Sequence, residues 1–566
     1  MSQSPNSTPN WWMYHGDPAH TGYVGAGSKI NSGNVCTSLK TLWELKLDGP
    51  VMSTPAIVDG YAFVGTANCH GATGGNGGSM NKIDLQTGKI QPFVWPIDLN
   101  ERDSHGFTGM GCTPAVTDGK VFFSAFDGCV YCLDQQSMML LWKTNLRHAD
   151  VPKNQPVNNT LGMDQNPPVA GWSSPVAVNG KVYVGVGEGE NPYAYGFVYC
   201  LDGQTGKVIW LFCTCKFLAD QDNQPNVVPG NVTDPAALGD VFKVHWGDPV
   251  TMGSSVWAGI AYDADLNRLY CSTGNPSPDG PLPTPGYTNG LLVLDAVSGK
   301  FLGFQQFPKE SSYRVSDADV DVGGSATLFT RNGRKVVGVG CKNGGYMILD
   351  ARTLERLQWR QLLPYYNNGD QIPTVDPHGP DVASDPNPQL TNEQSNQAKP
   401  SDSVTTENYF GTYSTAAIHP GLQRLFIGVG GKSYDFIAPG IDSDTTPFMR
   451  ALDWNTLADA WPMDDNNPRR YLKSRPPMYT TAGESGLSVP AVVNDVVFFA
   501  TSKISLYAFD ANDGTLLWSD DLGMQTDGFC GGYGYCLGPA ICGDYVVAGA
   551  LVNGRDGGIL KIYKLQ

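Results

Sequence analysis

Three aspartates alternate in one short stretch of the chain, SDADVDVGGSATLF at 316–329. Asp319 and Asp321 are two residues apart, so on an extended strand their side chains project from the same face and can meet one metal ion. Hard cations prefer carboxylate and amide oxygens as ligands. The stretch is therefore a candidate metal site.

A second spacing with chemical potential is Cys129-Val-Tyr-Cys132. A Cys-x-x-Cys pair suits redox chemistry or metal binding. These two residues, however, belong to a strand-like stretch, CVYCLD at 129–134, in which successive side chains point to opposite faces. We therefore favour a structural role. The chain has 13 cysteines, an odd number, so at least one is unpaired within it, and no Cys-x-x-Cys-His motif for covalent haem attachment occurs.

The composition limits the classes of protein that fit. Of 566 residues, 68 are glycine and 40 proline, and only 16% are charged, which suits short strands joined by many turns. The net charge of −17 argues against a nucleic-acid partner. The chain contains no run of about 20 apolar residues, so the sequence predicts no membrane span. The first residues lack a basic region followed by an apolar one, so we expect a cytoplasmic protein or one whose export signal has been removed.

One phrase returns along the whole chain, as in VYCLDGQTGKVIW at 198–210 and LYAFDANDGTLLW at 506–518. Apolar residues form a strand, an aspartate begins a tight turn, and a second strand follows that often ends in tryptophan. The turn aspartates are Asp84, Asp134, Asp202, Asp295, Asp350, Asp453 and Asp510. The last residues, ILKIYKLQ, resemble an eighth, truncated copy.

The repeats predict an all-β fold, an eight-bladed β-propeller of four-stranded antiparallel blades formed by one domain over 1–566. A further hairpin before many copies completes the four strands. The segment 39–47 reads as a lone strand that completes the last blade and so removes an exposed sheet edge. Irregular spacing of the aspartates requires long inserted loops near 216–249 and 360–408. The second is either a partial lid, which we favour, or a surface appendage.

Function depends on a site rather than on the repeats. The stretch SSVWAGIAYDADLNRLYCSTGNPSP at 254–278 resembles the pattern of quinoprotein alcohol dehydrogenases, which use pyrroloquinoline quinone (PQQ). The resemblance extends over nearly the whole chain. It implies that Trp257 is the floor under the quinone and that Asn275 is an oxygen ligand of the metal. A flat quinone stacks well on an indole ring.

Three more local matches follow the same family pattern. In VYVGVGEGENPYAYGFVYCLD at 182–202 the resemblance makes Glu190 a metal ligand, with Glu188 as the alternative. In the aspartate stretch it makes Asp319 both a metal ligand and the catalytic base, with Asp317 as a competing choice. Asp321 is then an extra metal ligand, which some family members combine with a lanthanide and others with calcium.

The last of these matches is VVGVGCKNGGYMILD at 336–350, where Lys342 takes the place of a catalytic cation beside the quinone. Such a cation stabilises negative charge as the quinone is reduced. The resemblance also implies further cofactor contacts from small residues: Ser173, Ser174, Ser255, Thr412 and Cys112. Cys112 stands alone where many relatives have two adjacent cysteines, and Met52 replaces a glutamate, so quinone anchoring has changed here.

The resemblance thus implies an oxidoreductase that binds PQQ and either Ca²⁺ or a lanthanide ion and oxidises an alcohol to an aldehyde or ketone. The family branch nearest in character is that of polyvinyl alcohol dehydrogenase. We expect electrons to pass to an external acceptor, a cytochrome c or a dye, and we expect a periplasmic or secreted protein. The alternatives are a PQQ-dependent aldose dehydrogenase and a non-catalytic propeller scaffold.

Overall fold

The structure is a computed structural model. It describes the following residues: 10–25, 27–68, 78–94, 108–146, 171–187, 196–214, 227–229, 255–274, 287–306, 322–342, 344–362, 366–367, 370–371, 410–411, 414–431, 449–464, 467–471, 488–501, 505–522, 538–552 and 557–566. Within these residues, no helix is both long and apolar enough to cross a membrane.

Eight sheets follow one another along the chain and form the eight blades of a propeller, as the repeats predict. They are antiparallel, except that the strand Tyr23–Val24 runs parallel to the first strand of blade 7. Blades 1 to 4 have these strands: Ala56–Val58, Tyr61–Gly65, Ser79–Asp84 and Ile90–Val94; Ala115–Thr117, Lys120–Ser124, Cys129–Asp134 and Leu140–Asn145; Val176–Val178, Lys181–Val186, Phe197–Asp202 and Val208–Cys213; Ile260–Asp263, Arg268–Ser272, Gly290–Asp295 and Phe301–Gln306. Blade 3 adds Val227–Pro229 to its outer strand.

Blades 5 to 8 have these strands: Thr327–Arg331, Arg334–Gly340, Gly345–Asp350 and Arg356–Gln361; Ala417–His419, Arg424–Gly428 and Met449–Asp453; Ala491–Val493, Val496–Ala500, Ser505–Asp510 and Leu516–Asp521; Ala540–Cys542, Tyr545–Val552, Gly557–Leu565 and Leu39–Leu47. Blade 6 is followed by a small hairpin, Met463–Asp464 with Asn467–Tyr471. Three more two-stranded pairs lie outside the blades: Ala67–Asn68 with Thr108–Gly109, Tyr366–Asn367 with Asp370–Gln371, and Phe410–Gly411 with Gly430–Gly431. One four-residue helix, Val35–Ser38, precedes the closing strand.

The ring closes where an early strand of the chain pairs with its last strand. Leu39–Leu47 pairs antiparallel with Gly557–Leu565 and is the outer strand of blade 8. The prediction that the segment 39–47 completes the last blade is therefore confirmed. From Trp43 to Leu47 this closing strand alternates exposed and less exposed residues, which suits an outer strand with one face in water.

The turn aspartates act as their sequence context predicts. Each side chain accepts hydrogen bonds from backbone N–H groups two or three residues ahead; Asp202 Oδ1, for example, accepts from Gln204 N at 3.1 Å and from Thr205 N at 2.7 Å. The carboxylate of an aspartate in this position accepts hydrogen bonds from the backbone N–H groups of the turn, which would otherwise need water as an acceptor. The repeats are thus defined by the same local chemistry from blade to blade.

In several blades the tryptophan of the outer strand packs on the glycine in the turn of the next blade. A Cβ atom on Gly206 would lie 2.5 Å from the Trp142 ring, and one on Gly299 would lie 2.7 Å from the Trp210 ring. Both glycines also have positive φ, at +72° and +71°, where other residues are strained. The Trp–Gly contact locks neighbouring blades together, and only glycine suits both conditions.

Both cysteines of the Cys-x-x-Cys spacing lie in the strand Cys129–Asp134 and are buried. Cys129 packs in the cluster between blades 1 and 2, and Cys132 in the cluster between blades 2 and 3. Their side chains therefore leave the sheet on opposite faces. Most residues of the predicted insertions near 216–249 and 360–408 lie outside the described part, so the lid stays a prediction.

Candidate functional site

Each blade has two edges. We call the edge with the aspartate turns the turn edge; the opposite edge, where the first strand of a blade begins and the second ends, is the loop edge. Trp257 lies three residues before the first strand of blade 4, and Lys342 lies two residues after the second strand of blade 5. Both therefore belong to the loop edge of adjacent blades.

The structure brings these two residues together. The Nζ atom of Lys342 lies 4.9 Å from the ring centroid of Trp257, within the range of a cation–π contact. Lys342 is only 1% exposed and Trp257 only 7%. A buried ammonium group beside an indole face provides a flat apolar surface and a positive charge at one place.

The backbone around Trp257 joins three blades at the loop edge. Val256 N donates to Val186 O at 3.3 Å, and Gly274 N donates to Ser255 O at 2.7 Å. Val322 N in turn donates to Thr273 O, with a longer distance of 3.4 Å. These bonds hold together the described flanks of the segments that carry the predicted ligands.

Two glycines of blade 3 lie in close contact with blade 4 at this junction. A Cβ on Gly185 would lie 2.3 Å from Val256 O, and one on Gly187 would lie 2.2 Å from Ser255 Cβ. The neighbouring blade occupies the space, so the glycines permit the close approach of blade 4 to blade 3.

The predicted cofactor contacts Ser173, Ser174 and Ser255 are buried at the loop edge. Ser173 Oγ donates to Ala258 O at 3.0 Å and accepts from Gly185 N at 3.1 Å, while Ser174 Oγ accepts from Thr113 N at 2.9 Å. These hydroxyl groups join blades 2, 3 and 4. Their contact with a cofactor remains a prediction.

Cys112 is fully buried in blade 2. Its thiol donates to Ser124 O at 3.3 Å, and Ser124 Oγ donates to Ser173 O at 2.9 Å. Burial raises the pKa of the Cys112 thiol to about 11, so the group stays protonated near neutral pH. Its described contacts connect it to the same hydroxyl network as Ser173, and its role beside a quinone is untested.

Several predicted site residues lie outside the described part of the structure. They are Glu190 and its alternative Glu188, Asn275, Asp319 and its competitor Asp317, Asp321, and Thr412. The residues that the structure does describe contain no group of three or more His, Cys, Asp and Glu side chains able to hold a metal ion. The metal site therefore stays a prediction.

Sequence reasoning missed the N-terminal segment 11–24, which packs against the inner strands of the blades and contacts Gly259, two residues after Trp257. Its sequence, WWMYHGDPAHTGYV, offers one signal. Two tryptophans, two tyrosines and two histidines within 14 residues are more than a solvated end of the chain would carry.

Comparison with known protein families gives two matches. Residues 156–419 match the glucose/ethanol/alcohol dehydrogenase beta-propeller domain of the PQQ type. Residues 477–550 match the outer membrane protein assembly factor BamB. The first match includes Trp257, Lys342 and all the predicted metal ligands.

Among curated proteins, the dehydrogenase subunit of the quinone alcohol dehydrogenase of Gluconacetobacter polyoxogenes is 27% identical over 367 residues. The match spans 61% of this chain and 45% of that protein, slightly less than half of its length. Among solved structures, quinohemoprotein alcohol dehydrogenase from Comamonas testosteroni has a TM-score of 0.67 at 17% identity, covering 99% of this chain and 81% of that one. A europium-containing methanol dehydrogenase has a TM-score of 0.64 at 17% identity and covers 98% of each chain. At these identities the structures establish the fold.

Proposed function

We propose, on the premise that the chain belongs to the PQQ-dependent alcohol dehydrogenase family, that it oxidises an alcohol to an aldehyde or ketone with bound PQQ and a metal ion. The observation that carries the proposal is the contact of Lys342 with Trp257, because both side chains are buried at the loop edge. Burying a lysine ammonium group is costly unless charge or polar groups compensate for it.

The described residues fit a quinone of this type. PQQ is flat and carries carboxylates, so an indole face and an ammonium group match its shape and its charge. When bound, the quinone supplies a hydride acceptor and the metal a Lewis acid. We assign Trp257 to stacking and Lys342 to stabilising the negative charge that develops on a neighbouring oxygen. Ser173, Ser174, Ser255, Thr412 and Cys112 are assigned to the rim of the same site.

We assign the metal to Glu190, Asn275 and Asp319, with Asp321 as an additional ligand. Support comes from the hydrogen bonds between the described flanks of these segments, Gly274 to Ser255 and Val322 to Thr273. The carboxylate and amide oxygens of these ligand residues suit Ca²⁺ or a lanthanide ion. The extra carboxylate of Asp321 favours the lanthanide, which has the higher charge. Asp319 takes the proton of the substrate hydroxyl group as general base.

The test is direct. The purified protein is mixed with PQQ and either Ca²⁺ or a lanthanide, and dye reduction is followed with primary, secondary and cyclic alcohols and with aldoses. We expect alcohol-dependent reduction that is lost in Asp319→Ala. A lanthanide preference that disappears in Asp321→Ala supports the extra ligand. No quinone binding under either metal would refute the proposal.

Two other functions are separated by the same assay. An aldose dehydrogenase shares the cofactor site, so turnover of aldoses but not alcohols identifies it. The alternative of a non-catalytic propeller scaffold is based on the match of residues 477–550 to an assembly factor. Such a scaffold would neither bind PQQ nor reduce the dye. For the dehydrogenase we further propose a periplasmic or secreted location and an external electron acceptor such as a cytochrome c.

A further inference from the structure

The N-terminal segment 11–24 runs across the inner strands of most blades. Its backbone carbonyl groups accept hydrogen bonds from the first strands of six blades, at distances of 2.5 to 2.9 Å. The donors are Ile57, Val116, Tyr262, Leu328, Ile418 and Val492, which bond to Trp11, Trp12, Pro18, Ala19, Thr21 and Gly22. One short segment therefore connects blades 1, 2, 4, 5, 6 and 7.

Two side chains of this segment press against the turn that carries Trp257. A Cβ atom on Gly259 would lie 3.2 Å from Tyr14 Cδ1, 3.3 Å from His20 Cε1 and 2.8 Å from Ser325 Oγ. The rings of Tyr14 and His20 are themselves in edge-to-face contact, with centroids 5.0 Å apart. The backbone two residues after Trp257 is therefore held by a pair of rings from the far end of the sequence.

The ring pair is fixed in turn by hydrogen bonds to the two following blades. Tyr14 Oη and Thr415 Oγ1 are 2.9 Å apart, and Ser325 N donates to Thr415 Oγ1 at 3.0 Å. His20 Nδ1 lies 3.2 Å from Ala326 O. Tyr14 and His20 thus contact blades 4, 5 and 6, among them the two blades that supply Trp257 and Lys342.

The electrostatics of the segment favour a rigid support. His15 and His20 are fully buried. Burial lowers the pKa of His15 to about 4 and that of His20 to about 3, so both rings are neutral near pH 7. Neutral histidine rings act on their neighbours through packing and hydrogen bonds rather than through charge.

We propose that Tyr14 and His20 are positioning residues for Trp257: by packing on Gly259 they fix the turn 257–259 and hence the indole against Lys342. The role of the Trp257 indole as the floor under a quinone rests on the proposed function. The positioning itself concerns only residues of this chain and is measured without a cofactor.

The first test uses the apo protein labelled with 5-fluorotryptophan. The ¹⁹F resonance of Trp257 is assigned by its loss in Trp257→Phe. We expect this resonance to shift in Tyr14→Phe, which loses only the hydroxyl group that meets Thr415, and in Gly259→Ala, which places a methyl group against Tyr14, His20 and Ser325.

Two glycine variants serve as controls. Gly549→Ala introduces a comparable clash, 2.4 Å from Val51 Cγ1, but lies in blade 8, across the ring from blade 4. Gly557→Ala adds a methyl group with no atom within 4 Å. We expect Gly549→Ala to lower the melting temperature and Gly557→Ala to leave it unchanged, with the Trp257 resonance in its wild-type position in both.

The second test measures PQQ affinity by fluorescence quenching. We expect the Kd of Tyr14→Phe for PQQ to rise by up to about fivefold, the factor reached when the loss of one ordinary hydrogen bond is felt wholly in the bound state. Gly549→Ala should bind PQQ as the wild type does. Wild-type PQQ binding together with an unmoved Trp257 resonance in Tyr14→Phe overturns the positioning role. A moved resonance in a protein that binds no PQQ keeps the positioning role and removes the proposed function.

Discussion

The two edges of the propeller are built by opposite rules. At the turn edge the same small device recurs: an aspartate closes a turn, and in several blades a glycine lies under a tryptophan of the preceding blade. At the loop edge each blade contributes something different, such as Trp257 in blade 4 and Lys342 in blade 5. Repetition at one edge stabilises the ring, and this leaves the other edge free to diverge toward chemistry.

This comparison implies that substitutions at the two edges have separable effects. Changes at the turn edge should lower the free energy of unfolding and leave cofactor affinity unchanged. Changes at the loop edge should alter cofactor affinity or turnover with little loss of stability, because buried polar groups at functional sites are retained despite their cost.

The largest effect is expected for Lys342→Met at the loop edge. Methionine keeps most of the side-chain length but removes the cation that lies over Trp257. Loss of a group that stabilises developing negative charge lowers kcat about 10² to 10³-fold. If the lysine acts at the cofactor site rather than in the structural framework, the melting temperature should stay close to that of the wild type.

Steady-state dye reduction and thermal unfolding of the same preparation check this prediction. Lys342→Arg, which retains a positive charge, is the matched control and should keep more of the activity. A melting temperature that falls by many degrees in Lys342→Met would mean that the lysine is part of the structural framework, and the contrast between the edges would fail at this position.

The next largest effect belongs to the turn edge. Trp142 covers Gly206 of the next blade, and its Nε1 donates to Gly203 O at 3.3 Å. Trp142→Ala removes this contact and should cost about 3 kcal/mol of unfolding free energy, at the lower end for large aromatic truncations because the ring is partly exposed. Urea unfolding measures the loss, and Trp142→Phe should restore part of it. PQQ affinity should not change; a lower affinity would show that the edges are coupled.

The contrast also explains what the sequence could predict. The turns could be predicted because an aspartate, its turn and the following strand lie within about a dozen residues. Trp257 and Lys342 stand in local patterns as well. The real role of Gly185 and Gly187 was not visible, since it depends on blade 4, about 70 residues further on. Tyr14 was missed for the same reason: its hydroxyl group meets Thr415, 401 residues away.

A smaller effect is expected for Gly206→Ala, and a matched glycine separates its two causes. Gly206 and Gly119 have nearly the same φ, +72° and +71°, but a Cβ on Gly206 would meet Trp142 at 2.5 Å whereas one on Gly119 meets nothing within 4 Å. Gly119→Ala should cost about 1 kcal/mol from backbone strain alone. Gly206→Ala should cost about 1 to 2 kcal/mol more, from overpacking. Equal losses in urea unfolding would rule out the Trp–Gly lock.

The smallest effect concerns the acid sensitivity of the turn edge. Burial alone would raise the pKa of Asp350, but the Arg334 guanidinium group and the backbone N–H groups of Thr353 and Arg352 outweigh it and lower the pKa to about 2. A carboxyl group with a depressed folded-state pKa stabilises the protein above its ordinary pKa near 3.8, and this stabilisation is lost as the pH falls toward 2. Asp350→Asn keeps the Oδ1 acceptor of the turn but loses the ion pair with Arg334.

Because Arg334 is 47% exposed, the loss in Asp350→Asn should be only about 0.5 to 1 kcal/mol above pH 4. The difference from the wild type should shrink between pH 4 and pH 2, since protonation removes the same ion pair from the wild type. Urea unfolding of both proteins across this range provides the measurement. A difference that stays constant with pH would assign the loss to the turn itself rather than to the charge. The turn edge would then be held by hydrogen bonds and packing, with no electrostatic contribution from Asp350.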